Sequence, residues 1–182
     1  MKEGAIYRSF TTRDGRKVTL RAPKWGDLDD MLHFINSLVE EKAMILMNEM
    51  QTRDSEITWI STLLSNVEKD KMVAVVAEVE GKFAGSCEIS PKKGYSSHLG
   101  TIGVSLLAEY RDAGIGQEMM LEAEKQVRRL SVEVVDLEVF EKNERAIHTY
   151  EKLGYKITGK IPEALKYKGE YIDALIMTKR IA

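Results

Sequence analysis

The chain has 182 residues, 43% of them hydrophobic, which fits one globular domain spanning residues 1–182 with a core of its own. Its 27 basic and 29 acidic side chains leave a net charge of −2, so no overall field argues for a nucleic acid or an anionic membrane as partner. The single cysteine, Cys87, excludes an internal disulfide and a cysteine metal cluster, and no apolar run reaches the length of a membrane span or a leader core, so a soluble cytoplasmic protein is expected.

In chain order, Val18 to Arg21 read as a short first strand, ended by Pro23 and Gly26. Leu28, Met31, Leu32, Ile35, Leu38 and Val39 recur at helical steps, with Asp27, Asp29 and Asp30 placing negative charge at the N-terminus of that helix. Residues 44–50 are rich in methionine and read either as a loop beside a substrate or, the commoner use, as core filler. A second helix follows over Ile57, Ile60, Leu63, Leu64 and Val67, with Asp54 or Ser55 as its cap.

Residues 72–79 are apolar on both faces and predict an inner strand, hairpinned through residues 80–82 to a partner over 83–90. Residues 98–107 form another strand leading into the stretch YRDAGIG, after which Met119, Met120, Ala123 and Val127 mark a helix. A strand over residues 134–140 precedes a helix capped by Asn143 and ended by Gly154. Two strands separated by Pro162 and a Gly169 turn complete the order β-α-α-β-β-β-α-β-α-β-β, a mixed sheet with helices on its faces. The exposed edges of the last two strands suit a homodimer.

Several chemistries are excluded by pattern. The chain has no GxxxxGK[ST] phosphate loop, no third glycine for a dinucleotide fingerprint and no GxSxG elbow. His33, His98 and His148 are scattered without cysteine or carboxylate at ligand spacing, so no metal is expected. What remains is strand, Arg111-x-x-Gly114-x-Gly116, helix, where loop and helix N–H groups converge and glycines admit a diphosphate. Taken alone, the same loop reads equally well as a structural turn. Likewise Asn143 alone is a cap, and Tyr150, seven residues on, an amphipathic packing residue.

Together these residues resemble the GNAT superfamily of acetyl-CoA-dependent N-acyltransferases: Val104-Ser105-Leu106, then Tyr110 to Gly116, then Asn143 to Ile147, then Tyr150 to Tyr155, in order and at the right spacing. The resemblance covers residues 73–177 and leans toward the branch of ribosomal-protein, peptide, polyamine and small-amine acetyltransferases. It implies an α+β, three-layer fold with a mixed, mostly antiparallel sheet of six to seven strands and about four helices. It further implies acetyl-CoA as cosubstrate and an amine as acceptor.

By position, Arg111, Asp112, Ala113, Gly114, Ile115 and Gly116 would hold the CoA pyrophosphate. Val104, Ser105 and Leu106 would pair with the pantetheine arm, and Asn143 would contact it. The N–H of Leu106 or Leu107 would face the thioester oxygen, and Tyr150 would protonate the leaving thiolate.

One part of the family pattern is missing, because the strand over residues 98–107 carries no carboxylate. The general base is therefore Glu88, His98 or a water chain, with structural roles as the rival reading of both side chains. Cys87 reads as packing rather than as an acyl carrier, and Tyr171 and Asp173 either border the acceptor or serve strand pairing. A non-catalytic CoA-sensing or partner-binding module of the same fold is the alternative function, and a nucleotide-binding regulatory domain a more distant one.

Overall fold

The computed structural model describes residues 2–182. Strands β1 (Ile6–Thr11), β2 (Lys17–Arg21), β3 (Val73–Val79), β4 (Lys82–Pro91), β5 (Leu99–Leu106), β6 (Val134–Phe140), β7 (Lys156–Tyr167) and β8 (Glu170–Arg180) form one sheet in the order β1-β2-β3-β4-β5-β6-β8-β7. Every neighbouring pair is antiparallel except β5 with β6. Helices α1 (Leu28–Glu40) and α2 (Arg53–Glu68) cover one face, where Met31, Phe34, Leu38, Ile60 and Leu63 pack on Ala74 and Val76. Helices α3 (Ile115–Val127) and α4 (Glu144–Lys152) cover the other, where Met119, Met120 and Ala123 meet Val73, Val75 and Cys87. This is the expected three-layer α+β fold, with eight strands rather than six or seven.

The extra strand is β1. Its residues are mostly exposed, so IYRSFT lacks an apolar stripe, and only pairing with β2, as in Phe10 opposite Val18, defines it. Pro162 does not separate two strands; β7 runs through it as the sheet's edge, where a missing N–H is tolerated and the register shifts between Ile161 and Leu165. Because β8 lies between β6 and β7, only β7 of that pair presents an edge.

Local caps also differ. Thr52, not Asp54 or Ser55, caps α2: its hydroxyl accepts from the Ser55 N–H, and Ser55 Oγ accepts in return from the Thr52 N–H. Asp27 precedes α1, but its carboxylate is held by the guanidinium of buried Arg21 at 2.7 and 2.8 Å instead of capping. Among the described residues no helix is long and apolar enough to cross a membrane, and no cluster of three or more His, Cys, Asp or Glu is placed to hold a metal ion.

Candidate active site

The sheet opens between its two parallel strands. Pairing of β5 with β6 is confined to Leu99, Gly100 and Thr101 against Val134, Val135 and Asp136, and past Thr101 the strands diverge. On its other edge β5 stays paired with β4 as far as Leu106 opposite Gly85. The end of β5 therefore has one satisfied edge and one facing a gap, and an extended ligand in that gap would find backbone groups ready to pair.

The Leu107 N–H donates to the Ala84 carbonyl at 2.9 Å. Successive amides of an extended chain point to opposite sides, so the Leu106 N–H faces the gap. Of the two amides expected to serve an oxyanion, Leu107 is thus engaged and Leu106 remains.

Beyond β5 the chain turns through Arg111 to Gly114 into α3. Asp112 and Gly114 both have left-handed backbones, φ +63° and +78°, and a Cβ on Gly114 would meet no atom within 4 Å. The first bond inside α3 runs from the Glu118 N–H to the Gly114 carbonyl, leaving the N–H groups of Ile115, Gly116 and Gln117 at the positive end of the helix. Ile115 itself is fully buried, and Ala113 packs against the core. Arg111 donates from Nε to the Leu106 carbonyl at 2.9 Å and pairs with Glu41, while Arg145 pairs with Asp112 at 2.8 Å.

These groups line a cavity of about 560 Å³ that includes Val104, Ser105, Leu106, Gly114, Gly116, Asn143 and Tyr150. Arg111, Arg145 and Lys152 also border it. It is a cradle for an elongated molecule with an anionic end.

A second cavity of about 530 Å³ lies on the α1/α2 side and shares Leu38, Met44, Ile45, Val104, Ser105, Asn143 and Tyr150 with the first. Its wall carries Phe34, Leu38, Met44, Ile45, Leu46, Met47 and Trp59, and its polar groups include Glu56, Ser86 and Glu88. Residues 44–47 thus border a cavity instead of filling the core, and Leu46 is 66% exposed.

Alternation along β4 explains the placement of Glu88: Cys87 and Ile89 face the α3 side and are fully buried, so Ser86 and Glu88 face the second cavity. Burial, with the Glu56 carboxyl nearby, pushes the Glu88 carboxyl up to about 7 against a pull downward from its hydrogen bond with Ser86. Burial raises Glu56 as well. Cys87 is pushed well above the ordinary thiol range, chiefly by burial, and stays a packing residue.

Tyr150 stands where the two cavities meet. Burial pushes its hydroxyl up to about 12, so it carries its proton at neutral pH. Its ring lies 6.1 Å from that of Tyr155 at a tilt of 59°, and the Tyr155 hydroxyl donates to Glu124 at 2.8 Å, which fixes that neighbour. Among the described residues the Tyr150 hydroxyl has no hydrogen-bond partner. Asn143 lines both cavities while its side chain accepts from the Ala146 N–H at 3.2 Å, holding α4 at the junction.

Three expectations fall outside this arrangement. His98 is exposed before β5 and lines neither cavity; its carbonyl accepts from Glu133 and Val134, and six residues of strand, about 20 Å, separate it from Val104. Asp173 accepts from the Glu163 N–H and pairs with Lys160, within the β7/β8 ribbon. Tyr171 is 63% exposed against Lys166. Glu56 was not singled out from the sequence, although a signal exists: it occupies the same helical stripe as Ile60, Leu63 and Val67, an acid at a core position.

Comparison with known proteins agrees with the geometry. A model of the acetyltransferase (GNAT) family matches residues 35–155. The L-amino acid N-acetyltransferase AaaT of Escherichia coli is 28% identical over 107 residues, which are 58% of this chain and 66% of that protein. A ribosomal-protein-alanine N-acetyltransferase from Brucella melitensis superposes with a TM-score of 0.78 at 23% identity, over 88% of this chain and 98% of that one. YncA from Salmonella typhimurium, a putative acetyltransferase solved with acetyl-CoA, gives 0.79 at 17% identity, over 91% and 94%.

Proposed function

Because the chain belongs to the GNAT acetyltransferase family, we propose that it moves an acetyl group from acetyl-CoA to a primary amine by direct attack, both substrates being bound together. The observation that carries this reading is the meeting of two cavities at Tyr150, one basic and opened by the splayed strands, the other holding Glu88.

The residues present fit acetyl-CoA. The open space beside Gly114, the free amides at the start of α3 and the basic border formed by Arg111, Arg145 and Lys152 suit a diphosphate, and the unpaired edge of β5 suits an amide-bearing arm. When bound, acetyl-CoA supplies an electrophilic acyl carbon and a thiolate leaving group.

Glu88 takes a proton from the acceptor ammonium, since a carboxyl titrating near neutral pH is matched to that task. The amine nitrogen then bonds to the acyl carbon while the Leu106 N–H donates to the oxygen gaining charge. Tyr150 gives its proton to the departing sulfur as the carbon–sulfur bond breaks, and recovers it from solvent as the amide product loses its second nitrogen proton. The products are an N-acetyl amine, free CoA and one proton.

CoA release from acetyl-CoA with a panel of amines tests the reading. Amine-dependent release supports it, whereas acetyl-CoA binding without release on any amine identifies a non-catalytic module.

A further inference from the structure

The acceptor cavity differs from the cosubstrate cavity in the sign of its charge. Arg111, Lys152 and an Arg145 paired with Asp112 border the first, whereas no lysine, arginine or histidine lines the second among the described residues; its carboxyl groups are those of Glu56, Glu88 and Glu138.

Glu56 is the informative member. It lies in the first turn of α2 and is only 5% exposed, yet its carboxylate oxygens have no hydrogen-bond or ion-pair partner among the described residues. Its oxygens open onto the second cavity, where a cationic group arriving with a ligand would find an unpaired carboxylate in largely apolar surroundings. Glu88 faces the same space from β4, close enough that each acid disfavours charge on the other. Around them the wall is aliphatic and aromatic, through Phe34, Met44, Ile45 and Trp59.

We propose that this cavity selects an amine with an apolar carbon skeleton and no carboxylate, Glu56 drawing the cationic group in and Glu88 serving the reacting nitrogen. The inference rests on the acetyl-transfer reading above and narrows its acceptor. An α-amino acid would bring its own carboxylate into a space already lined by three acids and by no lysine, arginine or histidine among the described residues, and like-charge contacts of that kind discriminate strongly. The chain would thus differ in acceptor from its relative named for L-amino acids.

Matched pairs test this directly: phenylalanine against 2-phenylethylamine, and lysine against 1,5-diaminopentane, with CoA release as the readout. The decarboxylated member should show a kcat/KM at least about a hundredfold higher in each pair. Glu56→Gln should raise KM for the amine more than it lowers kcat and shrink the ratio within each pair, while thermal stabilisation by acetyl-CoA is retained. Equal or better use of the amino acids by the wild type overturns the inference and leaves acetyl transfer standing. An undiminished ratio in a folded, acetyl-CoA-binding Glu56→Gln variant removes Glu56 from the selection. Absence of turnover with every pair, where another amine of the panel is acetylated, overturns the inference and leaves acetyl transfer standing.

Discussion

A Cβ on Gly85 would lie 2.2 Å from the carbonyl oxygen of Ser105 and 2.9 Å from Cα of Leu106. Glycine at 85 is therefore what lets β5 close onto β4 at the point where its other edge faces the gap. Gly85→Ala must push the Ser105–Leu106 backbone aside, at a cost of about 2–3 kcal/mol. The melting temperature should fall by about 5–10 °C, and turnover should drop further than stability alone explains because the Leu106 amide moves. A melting temperature and kcat equal to those of the wild type would show that β5 has room to spare.

Tyr150→Phe removes the proposed proton donor at the junction but keeps the tilted ring contact with Tyr155. A fall in kcat of about a hundredfold or more is expected, with little change in KM for acetyl-CoA. Steady-state kinetics in both substrates checks it, and an unchanged kcat would remove Tyr150 from the chemistry.

If Glu88 is the base, activity and stability should depend on pH with opposite signs. In the fold its carboxyl keeps its proton up to about 7, whereas the ordinary value is 4.5. Between those limits the unfolded chain binds fewer protons, so stability falls as pH rises through the window and the loss is complete above 7. Glu88→Gln should therefore match the wild type near pH 4 and exceed it at pH 8 by up to about 3 kcal/mol. Activity runs the other way: wild-type turnover should decline as pH falls below 7, and the glutamine variant should be slow throughout. Denaturation curves and kcat at the two pH values check both signs.

Gly114 has a left-handed backbone and open space where a side chain would go. Gly114→Val imposes about 1–2 kcal/mol of backbone strain and fills the cradle, so acetyl-CoA affinity measured by calorimetry should weaken at least about tenfold. Unchanged affinity would move the diphosphate elsewhere.

Much of the fold was legible because its signals are local. The apolar run of β3, the Asn143 cap and the Gly154 stop each act within a few residues. The misses have a common cause in tertiary context. Strand β1 is an exposed ribbon defined by its partner, and Pro162 is tolerated because β7 happens to be an edge.

At the candidate site, Arg111, Asp112, Gly114, Ile115, Gly116, Asn143 and Tyr150 stand out in the sequence by their order and spacing, and they line one cavity, while Ala113 turns to the core. Glu88, His98 and a water chain stand level as general base in the sequence, because the loop pattern does not include β4. Only the alternation of Cys87 and Glu88 across the sheet, and the exposure of His98 at the far end of β5, separate the candidates. Glu56 required knowing that the acid in the stripe of α2 faces a cavity.

Direct transfer between two bound substrates is tested most directly by single turnover with enzyme in excess over acetyl-labelled acetyl-CoA, quenched with and without an amine such as 2-phenylethylamine. The predicted result is label passing from CoA to the amine in one step, none of it on the protein and none released without amine. Label on the protein, at Cys87 or elsewhere, or label that stays on CoA in the presence of every amine, would contradict it.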